Sequence, residues 1–153
     1  MTVTEGQAIA QTFQRVMTPL LEKVGLAASD ATPSAYRLRV DGRFDLHFFA
    51  DPQACLVVVC KTGPLPEPAP PELLPRLLQL NTYAPLPANV SVGLDREDGK
   101  LQVWSRRPLA ELEAEGIGPM VQLMVNAVSF VDAILAGRAV PEPPPVLAGN
   151  IRL

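Results

Sequence analysis

The chain has one histidine, His47, and two side chains that could work with it lie near it in the sequence. Asp45 precedes it by two residues, and Cys55 begins the run CLVVVC that follows. A thiol activated by an imidazole, with a carboxylate to orient the ring, is one arrangement for nucleophilic catalysis. On a strand, however, residues two apart point in parallel, and no glycine-rich oxyanion loop lies nearby. We therefore expect no catalytic residues.

Other patterns that carry chemistry are incomplete. Cys55 and Cys60 are an odd distance apart on one strand and point to opposite faces, so with one histidine they cannot supply four converging metal ligands. The chain contains no phosphate-binding GxxxxGKS or GxxxxGKT, no HExxH and no CxxC. Three glutamates before the last predicted helix fit ordinary helix electrostatics: Glu111, Glu113 and Glu115. We expect no metal and no cofactor.

Composition narrows the class of protein. The 153 residues are 48% hydrophobic and 19% charged, with a formal net charge of −3. These values suit one compact domain and argue against nucleic acid as a partner. No apolar run approaches the roughly 20 residues that span a bilayer, and the N-terminal residues lack the pattern of a secretory signal. Free cysteines fit a reducing compartment, so we expect a cytoplasmic protein without membrane insertion.

Three helices are predicted from apolar periodicity. The first begins near Thr4 and ends near Gly25, with Pro19 expected to kink or shorten it. The second is short and leucine-rich: Leu73, Leu74, Leu77, Leu78 and Leu80. The last runs from about residue 118 to residue 137 and is apolar on nearly every side, so it should be mostly buried.

Two groups of strands are predicted. Residues 34–62 hold three alternating or apolar runs separated by Asp-Gly and Asp-Pro turns, which predict an antiparallel meander with Val40 opposite Phe44. The segment NVSVGLDREDGKLQVW predicts a hairpin with Val92 opposite Val103. The element order is α-β-β-β-α-β-β-α, an α+β fold in which a twisted antiparallel sheet packs with helices.

The positions of the prolines predict the domain organisation. Residues 1–140 are predicted to form a single domain, with a proline-rich connector at 63–71 inside it. Residues 141–153 are predicted to be a proline-rich flexible tail, because fixed φ angles and missing N–H donors disfavour helix and sheet.

One face of the predicted meander carries too much apolar surface to be fully solvated. It combines the polar residues Arg37 and Arg39 with the apolar residues Phe49, Val57 and Val59. A sheet face in contact with water alone is normally polar. We expect something to cover this face.

A resemblance to a known family covers residues 4–137. The segment LLQLNTYAPLPANVSVGLDREDGKLQVWSRRPLAEL, followed by GPMVQLMVNAVSFVDAIL, resembles the class I type III secretion chaperones, the Tir-chaperone or CesT family. The matching features are Leu77, Leu78 and Asn81 at a helix end, a hairpin from Val92 to Val103, and the step Pro108, Leu109 and Leu112. The connector, Pro19 and the tail depart from the family pattern.

The resemblance implies a function. Members are bacterial cytoplasmic homodimers that hold the N-terminal chaperone-binding segment of a secreted effector in extended form, keep it soluble and present it to the secretion ATPase. No cofactor is implied. The predicted effector-binding residues are Met17, Leu21, Arg37, Arg39, Phe49, Val57 and Val59. A YbjN-like regulatory or binding module of the same fold is the alternative, and an enzyme is a third class.

Trp104 indicates where two copies would meet. Its side chain lies on one face of the hairpin, and those of Val92 and Val103 lie on the other. The small residues beside Trp104 permit a second copy of the chain to approach closely. Packing under the chain's own 85–87 loop explains Trp104 equally well from the residues alone, and the resemblance favours the dimer. The predicted interface residues are Leu77, Leu78, Ser91, Gly93 and Trp104.

Overall fold

The computed structural model describes residues 3–25, 34–82 and 89–137. Its helices are α1 (Val3–Lys23), α2 (Leu73–Gln79), α3 (Leu109–Glu115) and α4 (Gly118–Leu135). Its strands are β1 (Ala35–Val40), β2 (Phe44–Ala50), β3 (Cys55–Lys61), β4 (Val90–Leu94) and β5 (Leu101–Pro108). They form one antiparallel sheet in the order β1-β2-β3-β5-β4. The predicted α+β class is confirmed, and the predicted tail and the 85–87 loop lie outside the described residues.

The local register of the sheet follows the prediction. Val40 lies opposite Phe44, and Val92 lies opposite Val103. The turn between β1 and β2 uses left-handed backbone at Asp41 and Gly42, with φ of 52° and 63°. Such angles give the tight reversal that Asp-Gly favours. Turn chemistry and strand alternation together therefore fix both hairpins.

One face of the sheet builds the core with the helices. Leu46, Phe48, Leu56, Val58 and Val103 are fully buried there. They form one cluster with the inward residues of the helices. Alternation places every second residue on this face, which is why buried positions recur with period two along β2 and β3. The opposite side of the sheet is left outside the core.

Helix α1 corrects two expectations. It continues past Pro19 to Lys23, so the proline does not shorten it. Met17 and Leu21, predicted to contact an effector, are 0% and 2% exposed and belong to the core. Because a helix places residues 13, 17 and 21 on one side as readily as 13, 16 and 20, the spacing alone did not fix which side faced inward. These two residues are not available as a docking surface in this structure.

Helix α3 was not predicted. It follows β5 directly, and Leu109 and Leu112, each 1% exposed, anchor it in the core. Its three glutamates all form ion pairs, two with Arg107 at 2.9 Å and one with Arg15 at 2.7 Å. With only two leucines, α3 gives too weak an apolar periodicity to be recognised, whereas the equally short α2 is rich in leucine. The acidic cluster is thus a solvated, ion-paired helix face.

Helix α4 backs the sheet. By length and composition it is the one described helix apolar enough to cross a membrane, with a mean hydropathy of 1.4. Its inward residues are nevertheless part of the core, among them Met124, Val128 and Val131, each 0% exposed. Gln122, Asn126 and Ser129 form the exposed polar strip that the sequence indicated. Its composition is accounted for by packing on the sheet.

The connector between β3 and α2 contains no helix or strand at residues 63–71. Leu65 within it packs partly against the core. The division of the chain into one domain and a tail stays a prediction.

Candidate functional site

No described helix covers the outer face of the sheet, which we define by the outward side chains of β2, β3 and β5. Four large side chains on it, Phe49, Val57, Val59 and Trp104, form what we call the apolar strip. Phe49 is 37% exposed, and the other three are half-buried. Large apolar side chains on an uncovered sheet face are the usual mark of an interaction site.

Strand pairing makes the apolar strip continuous. Phe49 lies opposite Val57 across β2 and β3, and Val59 lies opposite Trp104 across β3 and β5. Val57 and Val59 are two residues apart on one strand and therefore share a face. Directly opposed side chains on neighbouring strands have Cβ atoms about 4.5–5.5 Å apart, close enough for contact. The strip thus crosses three strands without a break.

A charged group borders the apolar strip on the side of β1. Asp45 accepts hydrogen bonds from Arg37 at 2.6 Å and from Arg39 at 2.9 and 3.0 Å. Hydrogen bonds from Arg39 and Arg37 hold the pKa of the Asp45 carboxyl well below its ordinary range. Both arginine side chains remain more than half exposed. This group of two arginines and one aspartate carries a net positive charge, and its role as the rim of an effector site stays a prediction.

A third arginine borders the apolar strip at its other end. Arg106 lies opposite Val57 and donates to Asp51 at 2.6 Å and to the side chain of Gln53. Asp51 also accepts from the backbone N–H groups of Gln53 and Cys55. This network orders the turn between β2 and β3 and holds Arg106 beside the strip.

The histidine, the thiol and the carboxylate do not form a catalytic group. His47 lies opposite Val59, so Cys55 is four residues away along β3, about 13 Å at strand spacing. Asp45 is occupied by its two arginines. The other cysteine, Cys60, was never part of this group: it is buried in the core, and burial raises the pKa of its thiol to about 11. Among the described residues no group of histidine, cysteine or acidic side chains could hold a metal ion.

The residues predicted for the dimer interface divide into two sets. Leu77 is 3% exposed and packs into the core of its own chain, because it lies on the inward side of α2. Leu78, one position on, is 68% exposed. Ser91 lies opposite Trp104, and Gly93 lies opposite Gln102 on β5. These two small residues therefore continue the outer face onto the edge strand β4.

Sequence reasoning missed that the two predicted surfaces are adjacent. Trp104 was assigned to a dimer contact and Val59 to effector binding, yet they are direct neighbours across β3 and β5. The pairing joins segments more than 40 residues apart in sequence, and no turn signal fixes it. For these two strands the sequence indicates only whether each side chain points toward the core or away from it.

The fold and the site define a helix-backed, five-stranded α+β domain with an apolar outer sheet face. The sequence profile of the Tir chaperone protein (CesT) family matches residues 16–131. The chain therefore belongs to this family of chaperones, and the resemblance noted in the sequence is confirmed.

Solved structures share the fold at low sequence identity. The chain matched in the crystal structure of the ExsC–ExsE complex is 14% identical with a TM-score of 0.65, and the match covers 82% of this chain and 95% of that one. A chain of the heterodimeric ExoU–SpcU complex from the Pseudomonas aeruginosa type III secretion system is 19% identical, with a TM-score of 0.61. That match covers 78% of this chain and 97% of that one. A chain of the complex of the Yersinia pestis type III secretion chaperone SycH with a fragment of YscM2 is 16% identical, with a TM-score of 0.61. That match covers 78% of this chain and 98% of that one. No curated protein sequence matches the chain.

Proposed function

We propose that the protein is a type III secretion chaperone that binds the N-terminal segment of a secreted effector in extended form and keeps it soluble and competent for secretion. The observation that carries the proposal is the uncovered apolar strip in a member of the Tir chaperone family. Two solved structures with this fold hold a chaperone together with another protein: the HopA1–SchA chaperone–effector complex and the SycH chaperone with a fragment of YscM2. They support the same use of the fold here.

The outer face suits an extended polypeptide better than a small molecule. The apolar strip crosses three strands as a shallow surface, bordered by Arg37 and Arg39 at one end and by Arg106 at the other. A segment without a fold of its own can spread over such a surface and keep its apolar side chains out of water. Binding of this kind needs no chemical step and no cofactor. The proposed place of action is the bacterial cytoplasm, and the secretion ATPase is a further proposed partner.

We further propose that the outer face is shared between the client and a second copy of the chain. Ser91, Gly93 and Trp104 on the β4–β5 side would meet the partner copy, together with Leu78 of α2. Phe49 and Val57 on the β2–β3 side would then remain open to the effector. This division keeps the two contacts separable by mutation.

Two aspartate substitutions on the β2–β3 side of the outer face test the proposed client site. Phe49→Asp with Val57→Asp should leave the fold intact, since both side chains point away from the core, and should abolish co-purification of the co-expressed effector. His47 lies on the same face, so His47→Ala is the control variant. It should leave co-purification of the effector unchanged. Pull-down combined with circular dichroism of each variant makes the measurement.

Two results would contradict the site. If the doubly charged variant binds the effector as the wild type does, the β2–β3 side is not the client surface. If His47→Ala alone abolishes binding while its circular dichroism spectrum is unaltered, the histidine has a role that this proposal denies.

A further inference from the structure

The edge strand β4 is closed by a side chain. The Asn81 side chain, just beyond the end of α2, donates from Nδ2 to the carbonyl of Val92 at 3.0 Å and accepts the N–H of Val92 on Oδ1 at 2.7 Å. The amide thus takes both backbone hydrogen bonds that a neighbouring strand would make with Val92. A strand that approached β4 from outside would find its central residue occupied.

The other edge strand, β1, has no such closure among the described residues. Asp51 donates its N–H to the carbonyl of Cys55 at 2.9 Å, so odd-numbered residues of β2 direct their backbone groups toward β3 and even-numbered ones toward β1. The even-numbered residues of β1 bond back to them. Arg37 and Arg39 therefore direct their backbone N–H and C=O groups away from the sheet, as alternation requires.

We propose that Asn81 makes strand addition to this sheet one-sided, so that an extended client segment pairs along β1 and is excluded from β4. The inference deepens the proposed function and rests on its claim that the client is extended. Asn81 acts as a positioning residue: it touches no client and decides which edge the client uses. Edge closure by a side chain also prevents two copies from joining through β4 into a continuous sheet.

The first measurement uses the free protein and backbone amide hydrogen exchange followed by NMR. In the wild type the Val92 amide should exchange about tenfold more slowly than the Arg37 and Arg39 amides, because one net hydrogen bond shifts an opening equilibrium by about that factor. Asn81→Ala should remove the difference. Asn126→Ala, the same substitution on the exposed side of α4, should leave it in place. Equal exchange of the three amides in the wild type would overturn the proposal.

The second measurement adds a short peptide of alternating threonine and valine with glutamate at each end. In the wild type it should slow exchange of the Arg37 and Arg39 amides and leave the amides of β4 unchanged. In Asn81→Ala it should also protect Val92 and its neighbours on β4. A loosened α2 alone would speed exchange in the free variant without creating protection by the peptide.

A conservative variant covers the case in which Asn81→Ala does not fold. Asn81→Asp keeps the acceptor for the Val92 N–H and loses the donor to its carbonyl, so protection of the Val92 amide should persist while the peptide gains access to β4. Peptide-dependent protection of β4 in the wild type, or none in either variant while β1 is protected, would overturn the role of Asn81. Failure of the peptide to protect β1 would overturn one-sided addition itself, whereas failure of the wild type to bind an effector would overturn the proposed function.

Discussion

Ser105 is the only buried polar side chain of the described core, at 0% exposure. It lies on β5 between Val58 and Val90, and its hydroxyl oxygen has no hydrogen-bond partner among the described residues. A buried hydroxyl without a partner loses its bonds to water and gains nothing in return. The site is therefore a local weakness in an otherwise apolar layer.

Ser105→Ala should raise the free energy of unfolding by about 1 kcal/mol, since it removes the desolvated hydroxyl and leaves almost the same volume. Ser91→Ala, the same change on the half-exposed side of β4, should stay within about 0.5 kcal/mol of the wild type. Urea denaturation of both variants measures the difference. A loss of stability in Ser105→Ala would mean that the hydroxyl has a partner in solution.

At the residue scale, the sequence predicts well which face of a strand a residue occupies. It predicts poorly which residues from distant elements lie beside it. Val57 and Phe49 were placed on the outward face correctly, because a strand alternates strictly. Met17 and Leu21 were placed on the wrong side of α1, because a helix with apolar residues at several adjacent positions has no equally strict rule. Asn81 was noted as part of a motif, but its bonds to Val92 depend on how α2 meets β4, which local spacing does not contain.

At the scale of elements, α1 carries an internal proline that its packing tolerates. Pro19 cannot donate to the carbonyl of Arg15 and its ring crowds that turn, a penalty of about 3 kcal/mol in a helix interior. The buried residues on either side, among them Val16 and Leu21, keep the helix intact through the proline. Burial against the sheet thus overrides local propensity.

Pro19→Ala should raise the free energy of unfolding by about 2 kcal/mol, the helix penalty less about 1 kcal/mol for a more flexible unfolded chain. Pro119→Ala is the matched control, because Pro119 lies in the first turn of α4, where proline fits. That variant should be unchanged or slightly less stable. Thermal or urea unfolding followed by circular dichroism compares them, and equal destabilisation by both changes would contradict this account of α1.

At the scale of the whole molecule, local pairs were predictable and the joining of the two strand groups was not. The β1–β2 and β4–β5 registers follow from turn residues and alternation. The β3–β5 pairing, which places Trp104 beside Val59, depends on the packing of the whole chain. The outer face could therefore be predicted as two patches, and only the fold makes it one surface.

The proposed dimer is tested on that surface. Wild-type protein at micromolar concentration should scatter light as a particle of close to twice the 16.5 kDa chain mass. Gly93→Arg should shift it toward one chain, since it places a long charged side chain on the proposed interface. The nearest atom to an added Cβ is Trp104 Nε1 at 4.0 Å, so the Cβ itself meets no clash within the chain. The Phe49→Asp, Val57→Asp variant should remain dimeric. A monomeric wild type would contradict this use of the surface.

The central claim is that the protein keeps a secreted client soluble. The most direct measurement expresses each candidate client, a secreted protein from the same bacterium, alone and together with this chain, and compares its soluble fraction. The account predicts that the client is soluble only in co-expression, in a complex where its N-terminal segment has no compact fold. Candidates that are all equally soluble alone and form no complex with this chain would contradict the account.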